Sequence, residues 1–585
     1  MENKRNTYII SKALKSFVLA SILTAAAAQL ASTFDAIIVA HFVGEEAVSA
    51  LSLVMPVTTF ISCLGLLMAF GANALAAREI GSHNLEGASD FFSTAVWSIL
   101  TIGVAFSMLM YAGIPVIMEI ITDEESLRTL PTDYLSVYVL GAWLEMLSYA
   151  FCLFVATDGH PRKVTMAVFA GVLVNAFVDL LAVGFLDWGI KGAAWGSLAQ
   201  FAVNILLLTL YIRQPICSYS LKWPKRKNIQ FFLENIKEGA TVSISNILMA
   251  VTVLLLCNII FNALGERGLF FWSVCLQMLL ISVVFINGII ESLFAIGGIL
   301  LGEHDTRGLD LLARRALLAV FVLMIPMIVL MCVPGVVGVM FGIKNDNEMA
   351  DLNHVLRIYS LALLPFALTL IMVATYQMLE HILLCVCVVV GQLSVTILVV
   401  GAFAYYAPAY IWWGFPLAGF SFLAVQLLYS YIYSHRQKCR VSALTLIPYS
   451  EGGRRFDSSV RYRSDEVYSV LNDIDVFLRE SKLREHDIFC LNLCCEELMT
   501  NIARHSHGHI VHHSFDIHIY SDDESTCVAL KDGGKPFNPL LADKMADPDI
   551  GKEGSEHLGL RLVNTIVENI SYKYMYGLNI VLIKI

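Results

Sequence analysis

What most constrains this 585-residue chain is a succession of apolar runs, each long enough to cross a bilayer, filling its first 435 positions. A helix rises about 1.5 Å per residue, so roughly 20 apolar residues traverse a hydrocarbon core of about 30 Å. Runs bounded by charged residues, Gly or Pro lie near 14–41, 47–77, 91–121, 132–157, 164–186, 192–213, 239–264, 268–300, 314–341, 353–379, 381–406 and 411–434. Lipid offers no partner to an unpaired backbone N–H or C=O, so isolated spans of this length must be helical. The expected fold is an all-α polytopic membrane protein of about twelve transmembrane helices in two six-helix repeats, followed by a C-terminal cytosolic α+β domain. Only 15% of the residues are charged, against about 25% in an average soluble domain.

Basic residues give a direction. With the N-terminus in the cytosol, alternate loops carry Arg78, Arg162, Lys163, Lys222, Lys225, Arg226, Lys227, Arg307, Arg314, Arg315, Arg436, Lys438 and Arg440, whereas the opposite loops hold Arg128, Lys191, Arg267 and Lys344. The positive-inside rule then predicts a multi-pass protein of the inner or plasma membrane, surrounded by lipid, with both termini cytosolic. A net charge of −10 offers no basis for a nucleic-acid partner. Thirteen cysteines are scattered without a CxxC pair, which argues against a disulfide framework or a zinc site.

The membrane part repeats itself. "GSHNLEG" begins at Gly81 and "GEHDTRG" at Gly302, 221 residues later, both of the form G-x-H-x-x-x-G. The same offset relates Gly44 to Gly265 and Tyr138 to Tyr359. Two similar six-span halves joined by a basic loop are the organisation of secondary transporters, which alternate access by rocking one bundle against the other. The segment "FDAIIVAHFVGEEAVSAL", the paired loops and "ATDGHPRKVTMAVFAGVLVNAFVDLLAVGFLDWGIKGAAWGSLAQ" together resemble the MATE (multidrug and toxic compound extrusion) family over about the first 440 residues.

Ionisable side chains inside a span are costly and tend to face a cavity. Asp35, Glu145, Asp179 and Glu291 are the deep acids, and Asn175 shares a helical face with Asp179, four residues on. Desolvation disfavours a charged carboxylate, so such a group can exchange a proton for a cationic substrate, or its oxygens can hold Na⁺. The MATE resemblance implies that Asp35, Asn175 and Asp179 form an ion-coupling cluster in the first lobe. Glu145 is a further ion-coupling candidate, from its depth alone. The seventh and tenth spans, 239–264 and 353–379, contain no acid, which argues against a cation site in the second lobe.

After Arg440 the composition turns polar, marking a linker. The expected organisation is a first lobe at 1–215, a connecting loop at 216–238, a second lobe at 239–435, a linker at 436–457 and a domain at 458–585. That domain reads as strand 458–463, helices 465–481 and 485–506, strands 513–520 and 525–531, helix 558–569, and strands 571–576 and 579–585, with helices on one face of a mixed sheet. "EELMTNIARH", "LKDGGKPFNP" and "GSEHLGLRLVNTIVEN" resemble, in order, the N-box, the D-x-G box and the glycine box of the GHKL ATPases, most closely the anti-sigma-factor serine kinases. The resemblance implies ATP with Mg²⁺: Glu497 as catalytic base, Asn501 on the metal, Asp532 accepting from the adenine amino group, Gly534 allowing close backbone approach, and Gly559, with the helix it opens, offering N–H groups to phosphate. Two departures stand out, His557 where a glycine is usual and "GLNI" at Gly577 without the usual threonine. A histidine-rich tract at 507–513 runs into a strand and makes a poor metal site.

The leading expectation is an antiporter, coupled to H⁺ or Na⁺, that exports organic cations under a nucleotide-binding regulatory or serine-kinase-like domain. The alternative is a membrane-anchored serine kinase or nucleotide sensor acting on a cytosolic partner of the anti-anti-sigma type, with the transporter half as ligand receptor. An ATP-driven pump ranks last, since G-x-x-x-x-G-K-[ST] is absent from the sequence.

Overall fold

The first lobe runs α1 (Tyr8–Phe42), α2 (Glu45–Gly81), α3 (Leu85–Ile121), α4 (Thr129–Thr157), α5 (Pro161–Phe185) and α6 (Ile190–Ile212). The computed structural model describes residues 6–121, 128–223, 228–341, 345–437, 441–448, 453–505, 514–523, 525–539 and 569–585. The second lobe opens with a 75-residue helix, Asn228–Gly302. That helix would measure about 110 Å, several times a bilayer core. Gly265, at φ 67 and ψ −159, breaks it into α7 (228–264) and α8 (266–302). Its repeat mate Gly44, at φ 113, separates α1 from α2. Only a residue without Cβ takes such angles cheaply, so one glycine per lobe turns the chain back into the membrane. The lobe closes with α9 (Thr306–Cys332), α10 (Asp346–Met378), α11 (Ile382–Tyr406) and α12 (Pro408–Arg436). Among the described residues eleven helices are long and apolar enough to cross a membrane. Counting the arms of the broken one separately gives the expected twelve.

The spans are apolar outside and polar inside. On α5, Leu173 and Phe177 are 70% and 65% exposed, whereas Asn175 and Asp179 on the opposite face are fully buried. Water would reverse that distribution; lipid favours it.

The repeat is also a structural one. His83 and His304 both adopt left-handed backbone, φ 65 and 58. The next residue caps the following helix in each loop: Asn84 accepts from the Gly87 N–H at 3.0 Å and Asp305 from the Gly308 N–H at 2.7 Å. The helices before these loops cross at their glycines. A Cβ on Gly81 would lie 2.1 Å from the Ile299 carbonyl oxygen, and one on Gly302 would lie 2.0 Å from that of Arg78. The lobes therefore meet backbone to backbone at the end that carries the tail.

The tail contains β1 (Arg454–Arg461), α13 (Ser464–Arg479), α14 (Glu485–His505), β2 (Ser514–Ser521), β3 (Thr526–Asp532), β4 (Ile570–Met575) and β5 (Leu578–Lys584), in sheet order β1-β2-β3-β5-β4. Its first strand begins inside the stretch read as linker, and 441–448 packs on the membrane part with Leu446 and Ile447 buried. Among the described residues the sheet is not mixed: every pairing there is antiparallel. Two helices, an even number of passes, separate β1 from β2 and return the chain in the opposite sense, while β2–β3 and β4–β5 are hairpins. The expected helix 558–569 and the histidine tract lie outside the described residues.

Side chains alternate across this sheet. Phe456, Val460, Phe515, Ile517, Ile519, Val528, Leu530, Val581 and Ile583 pack under α13 and α14 with Leu491, Cys495 and Leu498. The other face rests on both G-x-H-x-x-x-G loops. Buried Lys531 pairs with buried Glu303, and Arg307 approaches Asp457 at 3.7 Å. His518 bridges Asp457 at 2.7 Å and the Glu303 carbonyl oxygen at 3.1 Å, while His304 stacks on Tyr520 at 4.3 Å. In the first lobe His83 meets Ser571 at 3.3 Å.

That contact makes docking sensitive to pH. Burial, then the charges of Lys584 and Lys573, push His83 down to about 4. Undocked, the ring would titrate near the ordinary value of about 6.5. Docking thus requires the neutral ring, is at full strength above about 6.5, and weakens as pH falls from there towards 4. Protease sensitivity of the 438–452 stretch, followed between pH 8 and 4.5, should rise below about 6.5 and rise less in His83→Gln, where His304, also lowered by burial against the tail, still titrates; a flat wild-type profile contradicts the assignment.

Candidate functional site

Two features of the first lobe bear on transport. The first is the acid cluster. The Asp35 side chain, from α1, adjoins Asp179 and Asn175 of α5 and Ser197 of α6. The three residues singled out from the sequence therefore come together. Both Asp179 oxygens and both polar atoms of the Asn175 amide are shut from solvent without a hydrogen bond of good geometry. Two adjacent carboxyl groups repel as anions, and buried polar atoms without partners are costly, so the cluster calls for a proton or a small cation. Gly196 makes the room: a Cβ there would sit 1.8 Å from Asp179 Oδ1. A π-helical turn, Leu180–Phe185, follows Asp179 directly, a distortion often found beside functional residues. Glu145 is buried with partners of its own, since it accepts from Tyr138 Oη at 2.7 Å and from Ser62.

The second feature is a cavity of about 450 Å³ bounded by α1, α2, α4, α5, α6 and α8. Its volume falls in the range of small-molecule sites. Phe17, Phe70, Tyr149 and Phe294 give it aromatic walls, and Asn73, Gln200, Asn204 and Asn287 give it polar ones. Glu291 supplies the carboxylate. Asp35, Asn175, Asp179 and Glu145 are not in this wall. Gln29 is, and Asp35 lies six residues further along α1, about 9 Å by helical rise. The cavity and the acid cluster are thus separate stations along one helix. Sequence reading noted the depth of Glu291 but gave it no role; the spacing of Asn287 and Glu291, four apart on one face, was the available signal.

In the tail, Asp532 closes β3 with both oxygens engaged: Oδ1 accepts from the Gly534 N–H at 2.6 Å, Oδ2 from Asn579 Nδ2 at 2.8 Å. Asn579 also accepts from the Phe537 N–H at 3.1 Å and from Tyr572 Oη at 2.8 Å. Asn579 thus ties the D-x-G turn to β5, two residues after the glycine where a threonine was missing. Glu497 and Asn501 lie half-buried one turn apart on α14, whose opposite stripe fills the core. A carboxylate, an amide oxygen and a second carboxylate beside glycine are a donor set that fits a Mg²⁺-nucleotide. Gly559 lies outside the described residues.

Two repeated six-helix lobes around a polar cavity define a multi-pass membrane protein with the two-bundle organisation that transporters use. Residues 20–181 match the MatE family model, and residues 461–585 match the family described as Histidine kinase-like ATPase domain. Multidrug export protein MepA of Staphylococcus saprophyticus subsp. saprophyticus and of Staphylococcus aureus are each 23% identical over 268 residues, 45% of this chain. The match spans 59% of the length of these curated relatives. A MOP superfamily transporter from Pyrococcus furiosus superimposes with a TM-score of 0.67 at 18% identity, over 75% of this chain and 100% of its own. A MATE structure in the bent conformation gives 0.67 at 19%, over 75% and 99%. The chain joins a MATE-type membrane part to a C-terminal histidine kinase-like ATPase domain.

Proposed function

We propose that this protein exports organic cations in exchange for H⁺ or Na⁺, and that its cytosolic tail binds ATP with Mg²⁺ to regulate that exchange. The observation that carries the reading is an aromatic-walled cavity with one carboxylate, Glu291, a few turns from a buried acid pair. A cation entering the cavity pairs with Glu291 and lies against Tyr149 and Phe294, where ring faces attract positive charge. Asp35 and Asp179, steadied by Asn175, carry the coupling ion, and its arrival or loss changes the packing of α1 against α5. In this scheme Glu145 holds α2 to α4 through Ser62. The resemblance of the curated relatives, multidrug export proteins by name, agrees with this substrate class.

In the tail, Asp532 would receive the adenine, Gly534 and Gly559 would admit the phosphates, Asn501 would bind Mg²⁺, and Glu497 would orient the attacking group. Bound Mg²⁺ would spread the phosphate charge. Glu497→Ala should remove any ATP turnover or phosphorylation of a partner protein while leaving gradient-driven flux within about twofold.

The deciding measurement is flux of a fluorescent cation in sealed proteoliposomes under imposed H⁺ or Na⁺ gradients, with and without ATP–Mg²⁺ on the tail side. Gradient-driven flux without nucleotide supports the reading; flux that needs ATP and ignores both gradients removes it. Glu291→Gln should raise the half-saturating concentration of a cationic substrate by tenfold or more, since removing one member of a buried charge pair costs about 2–5 kcal/mol. An unchanged value would take Glu291 out of the binding site.

A further inference from the structure

We propose that the β4–β5 hairpin tip of the tail plugs the cytosolic end of the first-lobe cavity, with Tyr576 as the stopper. The turn is tight: Tyr576 and Gly577 both have left-handed backbone, φ 56 and 77, the pairing that suits two-residue hairpins. Such a tip on a small domain is ordinarily polar and wet. Here it reads Met575, Tyr576, Gly577, Leu578, and its three large side chains are at most 3% exposed. The membrane part buries them. Gly159, in the α4–α5 turn, leaves space for Met575, which would lie 2.5 Å from a Cβ at that position. The Tyr576 N–H donates to the Gly159 carbonyl at 3.3 Å. The Tyr576 hydroxyl donates to the Thr157 carbonyl, and its ring lies 5.7 Å from that of Phe17. Phe17 and Thr157 are both wall residues of the cavity. Beside them Lys573 bonds Ser218, whose N–H and hydroxyl in turn bond Asp158.

The plug is held from two sides. Its own hairpin grips the first lobe, while the adjoining sheet face grips the second through Lys531 and Glu303. Parting the lobes at this end must break one of the two contacts. The hairpin is also rooted where the nucleotide would sit: Asn579 bonds Asp532, and Lys12 of α1, five residues before Phe17, bonds the Gly533 carbonyl. Closure is a property of the docked tail; its role as a gate on export rests on the exchange reading above, and the test separates the two.

The full-length chain carrying Gln29→Cys places a thiol on α1 in the same cavity, twelve residues beyond Phe17. Inside-out vesicles are exposed to a membrane-impermeant cationic methanethiosulfonate, and modification of that peptide is timed by mass spectrometry. Tyr576→Ala should speed modification by about tenfold or more, and Tyr576→Phe, which keeps the ring on Phe17, by about threefold or less. Lys531→Met, which leaves the tip intact but removes the buried ion pair from the hold on the second lobe, should also speed it, and it decides if Tyr576→Ala fails to fold. Equal rates in wild type, Tyr576→Ala and Lys531→Met overturn the plug. No substrate flux is involved, so a protein that exports nothing can still show the closure, and one that exports can lack it.

Discussion

With Asp35 and Asp179 both changed to asparagine, gradient-driven flux is expected to fall at least about hundredfold, to the level of vesicles without protein, while the protein stays folded. The substitutions keep shape and volume, so packing around Gly196 and the Asn175 amide is retained. They remove the means of taking up a proton or ligating Na⁺ with charge. A coupled exchanger without its coupling ion has nothing to shift its two conformations, because a ligand moves an equilibrium only by its differential affinity for the states. Glu291 is untouched and stands in a different wall, so equilibrium binding of a cation should stay within about threefold of wild type. Loss of flux with retained binding is the expected signature. Retained flux would separate this acid pair from energy coupling, and joint loss of flux and binding would mean that pair and cavity are one site.

Gly302→Val should be as damaging by a different route. The added Cβ would stand 2.0 Å from the Arg78 carbonyl oxygen, and the contact is with backbone rather than a flexible side chain. Overpacking a core by methylenes typically costs about 1–3 kcal/mol, and a clash that side-chain rotation cannot relieve belongs at or above the top of that range. The crossing joins the two lobes, so the expected result is loss of monodisperse protein on size exclusion, or a melting temperature several degrees lower. Gly81→Val, opposing Ile299, should behave alike. Gly113→Ala serves as control, since its methyl would meet Ile117 at an ordinary 3.8 Å. A Gly302→Val protein of wild-type stability would mean that the lobes do not meet as described.

Much of this was legible in the chain because membrane spans advertise themselves by length and apolarity. The 221-residue offset placed Gly44 and Gly265 correctly as equivalents, and both prove to be chain reversals at positive φ. Asn175 and Asp179, four apart, identified a shared face, and Asp35 joins it. On α14, Leu491, Cys495 and Leu498 recur near the helical period and are core. What escaped were contacts that no local pattern records. Glu291 belongs to the second lobe yet lines a first-lobe cavity, and that depends on how α8 leans on α1 and α2. The alternation Asp457, Ser459 on one strand and Asp516, His518 on the next resembles a wetted sheet face. The face is instead covered by the membrane part, with Lys531 matched to Glu303. The mixed sheet failed because strand direction follows the number of intervening passes, not strand propensity.

The two heptapeptide loops are equivalent in backbone and capping but unequal in duty. Where the first has Ser82 the second has Glu303, and where the first has Glu86 the second has Arg307, each with a tail residue as mate. Exchanging the two heptapeptides would preserve both turns yet present the glutamate to the wrong half of the molecule. The frame repeats itself, but the single C-terminal domain makes its halves non-interchangeable, so that a chimera keeping every helix should still lose its lid.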